Sequence, residues 1–547
     1  MLADRDLLSV QEARILAENA QQAQKKLAGF PQDRLDAIVE GMAAAVLPRA
    51  AELAGLSCEE TGYGNRADKE LKNRFACQRI HNALRGLRCV GVMHRDEQAG
   101  VLSIGVPVGV IAALCPVTSP VSTTIYKALL AVKTANAVIF SPHPGAARSI
   151  RAVLEIMREA ALSRGLPEGC LSCLSVVSKS GSRELMEHPA VSLLLLTGVP
   201  GMYEAARASG KPLIYGGAGC GPAFIERSAD IPGAARDIIR SKSFDNGIAP
   251  ASELAVVVEA GAVGAAREAF SKLGAYFMRE EEAERIAALF FHSFGHSFEH
   301  SCGHDCGHAD GRRRTGSTGL DAPTLARRAG FAVPEHTRLL LADRKHVALN
   351  DPFSRGIPAP VLGWYVEEDW EHACEKCIEL LLLERNAHTM TIHSGNEDII
   401  RQFALRKPVA RLLVNTPAVF GGIGATTNLF PALTLGSGTA GYGITADNVS
   451  PLNLIHIRKV GRGVRAVSGD AYFVEANEDQ MWAPPTPAKG SALGTRQDLP
   501  ALDPVNEERQ SFAAPRAPAA GAGVEDGIRA LRKLLQETLE GISPKEG

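Results

Sequence analysis

Short apolar runs alternate with stretches of helical periodicity, and this pattern restricts the fold more than any other feature of the chain. Val108-Gly-Val-Ile-Ala-Ala-Leu-Cys-Pro116 reads as a buried strand and is followed by Ser122–Ala131, which starts with hydroxyl residues and continues with helical spacing. A strand over Ala137–Phe140, the turn Ser-Pro-His-Pro at 141–144 and a long helix to about Ser163 come next. Val191–Leu196 then leads through Thr197-Gly198-Val-Pro-Gly201 into a helix around Met202–Ala208, and Pro212–Tyr215 precedes the glycine-rich turn Gly216–Gly221. Strands without polar alternation are buried on both faces, so the fold class is α/β, a parallel sheet covered by helices on both sides.

A helix is expected over 9–30, and a second α/β pattern runs from about 222 to 440. It includes the strand-like Glu253–Glu259, the helix Trp370–Glu384 and the strand Ala410–Val414. After about Gln480 the composition turns to Pro, Ala and Gly, a flexible tether. The tether ends in a helical pattern whose apolar stripe is Ile528, Leu531, Leu535, Leu539 and Ile542. So short a helix is marginal alone and needs a partner surface, either its own body or another protein.

Composition excludes several classes. A net charge of −2 gives no electrostatic reason to bind nucleic acid or an anionic membrane. No apolar run is long enough for a membrane span, and the amino terminus lacks the pattern of a secretory signal. Eleven cysteines, an odd number, do not suggest a disulfide framework, so the expected location is cytoplasmic.

No G-x-G-x-x-G follows the first strand, so the usual pyrophosphate fingerprint is absent. Thr197-Gly198-Val-Pro-Gly201 does sit after a strand and opens a helix, but such junctions commonly just make a tight turn. The turn Gly216–Gly221 precedes the strand-like Pro222–Glu226 and is not read as a phosphate loop.

Four segments in order resemble the CoA-acylating branch of the aldehyde dehydrogenase superfamily. They are P-V-G-V-I-A-A-L-C-P-V-T-S-P (107–120) with I-F-S-P-H-P (139–144), T-G-V-P-G-M (197–202), S-K-S-F-D-N-G (241–247), and V-N-T-P-A-V-F-G-G-I-G (414–424) with L-T-L-G-S-G (433–438). The resemblance covers roughly residues 5–475 without a break. It implies a Rossmann-like NAD-binding domain over 1–225, with part of an oligomerisation extension near 94–107, and a catalytic domain over 226–440. An oligomerisation segment over 441–476, the tether over 477–523 and the amphipathic helix over 524–543 complete the expected organisation. The implied reaction is a short-chain aldehyde + CoA + NAD giving acyl-CoA + NADH, in a homo-oligomer. The resemblance further implies that Pro116, Thr118, Ser141, Pro142, His143, Thr197, Gly198 and Val199 line the NAD cleft, with Thr118 also counted among the catalytic positions.

Three positions depart from the family pattern. Pro250 stands where F-D-N-G-x-x-C has its nucleophilic cysteine, and proline offers neither a thiol nor a backbone N–H. Gly356 replaces a glutamate that contacts the nicotinamide ribose in the family. Cys220 stands where asparagine is more usual; it reads as a small residue tolerated in a turn, with a relocated nucleophile as the alternative. Two functional readings follow: an acylating aldehyde dehydrogenase with an unassigned nucleophile, or an inactive homologue acting as a scaffold or regulatory subunit.

His292, His296, His300, Cys302, His304, Cys306 and His308 crowd one segment. Their spacing matches no standard zinc finger, so the segment reads as a surface loop, with metal binding the alternative. Cys374 and Cys377 fall within a helix and read as helix-face residues, and Glu253 as a structural one. The tethered helix resembles the encapsulation peptides of bacterial microcompartment cargo, which makes shell proteins or co-cargo the expected partners of 524–543.

Overall fold

The computed structural model describes residues 4–217, 219–291, 316–384 and 388–463, and these belong to one compact unit, Met1–Arg465. The His/Cys-rich segment 292–308, the tether 477–523 and the helix expected over 524–543 lie outside the described residues. No described helix is long and apolar enough to cross a membrane.

Strands β1 (Gly91–Asp96) and β2 (Val101–Pro107) form a hairpin before β3 (Val110–Leu114), β4 (Ala137–Ser141), β5 (Leu171–Cys173), β6 (Val191–Thr197) and β7 (Leu213–Gly216). The last five make a parallel sheet in the order β5-β4-β3-β6-β7. β3 and β4 are buried at every residue, as their unbroken apolar sequences require. Helix Pro120–Lys133, which follows β3, is itself buried along its whole length. Helices Arg5–Leu27, Gln32–Val46 and Ala147–Leu162 contribute their apolar faces to the same core. The amino-terminal helix ends at Leu27 rather than 30, and Pro31 caps a separate helix.

The strand order reverses between β3 and β6, the place where open parallel sheets leave a ligand crevice beyond their carboxyl ends. Lys127, wholly buried, reaches this point from below. Its Nζ donates to the Leu114 carbonyl at 2.6 Å and the Leu195 carbonyl at 2.8 Å, tying β3 to β6 where their loops diverge. Burial without an acid partner pushes its pKa down to about 8.

Seven further strands follow: β8 (Ala223–Ile225), β9 (Ala255–Glu259), β10 (Ala275–Met278), β11 (Leu339–Asp343), β12 (Val361–Glu367), β13 (Thr389–His393) and β14 (Arg411–Val414). They form a second parallel sheet in the order β10-β11-β12-β9-β8-β13-β14, with separate cores on its two faces. Cys374 and Cys377 are buried in one of these cores, on helix Trp370–Glu384, and Lys407 Nζ donates to the Cys374 carbonyl at 2.7 Å. β8 lies inside the boundary expected at 225 but hydrogen-bonds to β9 and β13, so the change of sheet comes earlier, between Gly216 and Ala223.

β15 (Ile455–Gly461) pairs antiparallel with β2 to make the sheet β1-β2-β15. The segments expected near 94–107 and within 441–476 are thus two parts of one element. Asn136 Nδ2 donates to the Leu454 carbonyl and its Oδ1 accepts from Gly109 N–H, both at 2.8 Å, which anchors this sheet to the first one.

Candidate functional site

The carboxyl ends of the five-stranded sheet face the amino ends of the seven-stranded one. A cavity of about 530 Å³ lies between them. From the first sheet come Pro116 and Thr118 after β3, Ser141, Pro142 and His143 at the end of β4, and Gly198 and Val199 after β6. From the second come Pro250 in the segment entering β9, Gly356 in the segment entering β12, and Cys220 in the crossing that enters β8. Ten positions singled out from the sequence thus share one cavity. Thr197 does not line it. Its hydroxyl instead bonds Thr434 at 2.6 Å, beside a smaller cavity of about 60 Å³ that Pro116, Thr118 and Pro250 also border.

The backbone at the end of β6 is bent tightly. Gly198 has φ +64° and Val199 φ +51°, a left-handed conformation that is strained for a β-branched residue. A Cβ at 198 would come within 3.2 Å of the Pro116 Cβ, so glycine lets the β6 and β3 loops meet. The Gly198 N–H is occupied by the Gly216 carbonyl at 2.7 Å.

The segment Phe244–Gly247 owes its shape to a buried charge cluster. Asp245 (φ +48°), Asn246 (φ +54°) and Gly247 (φ +74°) are left-handed in succession, which would not persist without support. The Asp245 carboxylate is fully buried and accepts from Lys72 Nζ, Lys69 Nζ at 3.2 Å and Asn65 N–H at 2.9 Å. Its own N–H donates to Asp68 Oδ2 at 2.7 Å. Gly64 makes room for it, since a Cβ there would lie 1.9 Å from Asp245 Oδ1. Burial opposes ionisation of Asp245, but Lys72 and Lys69 outweigh it and hold the carboxyl below its usual range. Burial, and then the like charge of Lys72, push Lys69 down to about 8.

The same two lysines reach the opposite wall. Lys69 Nζ donates to the Thr118 carbonyl at 2.8 Å and Lys72 Nζ to Ser119 Oγ at 2.6 Å. The loop after β3 and the loop before β9 are therefore clamped to one another through Asp245.

Pro250 is half-buried, and its carbonyl accepts from the Cys220 thiol at 3.4 Å. Ser252 Oγ lies 3.8 Å from the Cys220 sulfur and accepts from Lys242 Nζ at 3.4 Å. Lys242, wholly buried in the last turn of helix Ile231–Ser243, also donates to the Ile357 carbonyl at 3.0 Å. Burial lowers its pKa, while the charges of Cys220 and Glu253 work against that. Glu253 is buried too. One carboxylate oxygen accepts from Ala418 N–H at 3.2 Å, and the other has no partner among the described residues. Burial pushes its pKa up to about 7, against hydrogen bonds from Ser241 and Ala418 and the charge of Lys242.

Besides Lys69 and Lys72, three further contributors escaped the sequence reading. Lys242 lies inside the quoted S-K-S-F-D-N-G, but a lysine in a helix normally signals an exposed face. His388 borders the smaller cavity, where burial and then the Arg411 charge hold it well below its usual pKa and hence neutral. Its Nδ1 bonds Thr389 Oγ1 at 2.7 Å, and its position before β13 carries no motif visible in one sequence. The start of helix Lys179–Glu187, with Ser178 and Ser182, opens onto the larger cavity without a glycine signature. Among the described residues, no group of three or more His, Cys, Asp or Glu side chains is arranged to hold a metal ion.

Comparison with known proteins gives a consistent picture. The model of the aldehyde dehydrogenase family matches residues 2–273. The bifunctional aldehyde-alcohol dehydrogenase AdhE of Escherichia coli (strain K12) is 35% identical over 459 residues, covering 83% of this chain and 50% of that protein. The chain thus spans about half the length of the aldehyde-alcohol dehydrogenases it matches. An acetylating aldehyde dehydrogenase from Geobacillus thermoglucosidasius superimposes with a TM-score of 0.80 at 39% identity, covering 86% of this chain and 100% of the other. A propionaldehyde dehydrogenase from the Clostridium phytofermentans fucose utilisation bacterial microcompartment aligns with a TM-score of 0.72 at 27% identity, covering 82% and 96%.

Two predictions follow from this geometry. Asp245→Asn leaves two buried ammonium groups without their counter-charge, and breaking a buried pair costs about 3–5 kcal/mol. Chemical denaturation is expected to show a loss of that size, whereas Asp33→Asn, on the first turn of a surface helix, changes little. Glu253 binds a proton more tightly folded than unfolded, so its contribution is fully present below pH 4.5 and is lost as pH rises through about 7. The difference is on the order of 3 kcal/mol. Denaturation midpoints of Glu253→Gln are expected to lack this decline between pH 5 and 8.

Proposed function

The chain belongs to the aldehyde dehydrogenase family, and from that premise we propose that it catalyses CoA-dependent oxidation of a short-chain aldehyde, with NAD as the hydride acceptor. The observation that carries this reading is the convergence of ten family positions, from both sheets, on one cavity of about 530 Å³. That volume lies in the range of small-molecule and cofactor sites. The crevice opens at the strand-order reversal, and the close approach of Gly198 to Pro116 keeps side chains out of it, so the residues present suit a dinucleotide. Pro116, Thr118, Ser141, Pro142, His143, Thr197, Gly198 and Val199 would hold it, all but Thr197 directly from the cavity wall. When bound, the oxidised nicotinamide supplies the acceptor for the hydride of the aldehyde carbon. Gly356 offers no carboxylate to a ribose, so cofactor affinity rests on the other loops.

Position 250 contributes neither nucleophile nor N–H to this reaction. Losing one oxyanion-hole donor typically costs on the order of 10²–10³ in rate. The second reading, an inactive homologue serving as a scaffold or regulatory subunit, is favoured by Pro250 and Gly356 together. NADH formation from propionaldehyde, CoA and NAD separates the two. The enzyme reading expects measurable turnover by the native chain. The scaffold reading expects none, with activity gained in Pro250→Cys.

The microcompartment relative supports a cellular setting as well. We assign the segment 477–523 and the helical sequence pattern over 524–543 to docking on microcompartment shell proteins or co-cargo, with the body a cytoplasmic homo-oligomer before encapsulation. Removing 524–547 is expected to abolish co-purification with shells and leave turnover unchanged. Undiminished co-purification would remove this assignment.

A further inference from the structure

Pro250, Cys220 and Gly356 are far apart in sequence and each departs from the family pattern. In the fold they touch. The Cys220 thiol meets the Pro250 carbonyl at 3.4 Å, so the sulfur lies within a side-chain length of the position that lacks one. A Cβ at 356 would lie 3.6 Å from the Cys220 Cβ and 3.8 Å from its sulfur, so a longer side chain there would cover the thiol. Glycine leaves it open to the cavity that Cys220 and Gly356 both line.

The cation needed to favour a thiolate is also present. Lys242 Nζ lies 3.4 Å from Ser252 Oγ, which lies 3.8 Å from the Cys220 sulfur. This buried ammonium is shared with Glu253, whose charge it also feels. Thiolate character rises beside a cation and falls with apolar burial, and Cys220 is only half-buried. Other cysteines of the same domain, Cys77 and Cys170, are buried thiols whose pKa burial pushes up to about 12.

We propose that Cys220 is the catalytic nucleophile of this chain, displaced from position 250 to the crossing between the two sheets, with Lys242 as its positioning residue. This rests on the acylating reading above. The Cys220 sulfur bonds to the aldehyde carbon as the carbonyl electron pair moves to oxygen. When bound, the oxidised nicotinamide would supply the acceptor for the hydride of that carbon, so that the C=O re-forms and Cys220 holds the acyl group as a thioester. Transfer to CoA makes a new carbon–sulfur bond and breaks the one to Cys220, whose thiolate is regenerated. The CoA thiol proton goes to a base or to solvent.

The acyl-transfer half can be read without the dinucleotide, by running it backwards. The full-length chain is incubated with propionyl-CoA, digested, and its peptides weighed. The expected result is a hydroxylamine-sensitive propionyl group on Cys220, formed at least tenfold faster than on half-buried Cys58. It is absent in Cys220→Ala and retained in Cys58→Ala. Iodoacetamide labelling of Cys220 against pH is expected to have its midpoint shifted upward in Lys242→Met, which a purely structural lysine would not produce. NADH binding, followed by fluorescence, checks that each variant is folded. Failure to acylate Cys220, together with acylation of residue 250 in Pro250→Cys, overturns the relocation and leaves the family reading standing. Failure of acylation in both chains, with no NADH binding, overturns the acylating reading and the relocation with it.

Discussion

One fully buried carboxylate holds the two halves of this molecule in register. Asp245 gathers Lys69 and Lys72, and those lysines grip the backbone and side chain of the loop on the facing sheet. Neither lysine would be stable there alone, because an unpaired buried ammonium costs several kcal/mol. The left-handed run Asp245–Gly247 would not hold its shape without the bonds to Asn65 and Asp68. Loop geometry and domain geometry are therefore set by the same few bonds, and the cavity between the sheets is a consequence of them.

The fold was largely legible because buried parallel strands leave a signal that needs no partner information. β3 and β4 were readable as apolar runs and β6 as one interrupted by Ser192, and helix Trp370–Glu384 came out with its observed ends. The boundary between sheets was less legible. Pro222–Glu226 looks like one more strand in a series, and only pairing shows that β8 belongs with β9 and β13. The site divides the same way. Loops that follow strands could be placed on the cavity through the family resemblance. Buried lysines could not, since a lysine in sequence looks solvated, and Lys69, Lys72, Lys127 and Lys242 become interior groups only when the fold supplies carbonyls and carboxylates for them.

The three unusual positions show the limit of reading along the chain. Read singly from the sequence, Pro250 is expected to stand in a nucleophile's place, Gly356 in a carboxylate's, and Cys220 as a small residue in a turn. Contact changes their meaning. A glycine at 356 places no side chain over the Cys220 thiol, and that thiol meets the backbone carbonyl of position 250. No pattern of spacing could have joined residues 220, 250 and 356, because the crossing between β7 and β8 brings them together only after both sheets exist.

The same contacts explain how a strong family motif can coexist with a proline at position 250. In the segment Phe244–Glu253 the structural work falls on Asp245, Asn246, Gly247 and Glu253. Asn246 Nδ2 donates to the Gly319 carbonyl at 2.8 Å, and a Cβ on Gly247 would lie 2.4 Å from the Ala359 carbonyl carbon. Residue 250 presents a half-buried side chain to two cavities, and none of these bonds passes through it. The residues that make the loop recognisable are those that shape its backbone, and residue 250 is free of that duty. A proline can therefore occupy position 250 without disturbing the clamp. Resemblance in this segment measures how the loop is held, while the reacting atom must be found from what the held loop brings together.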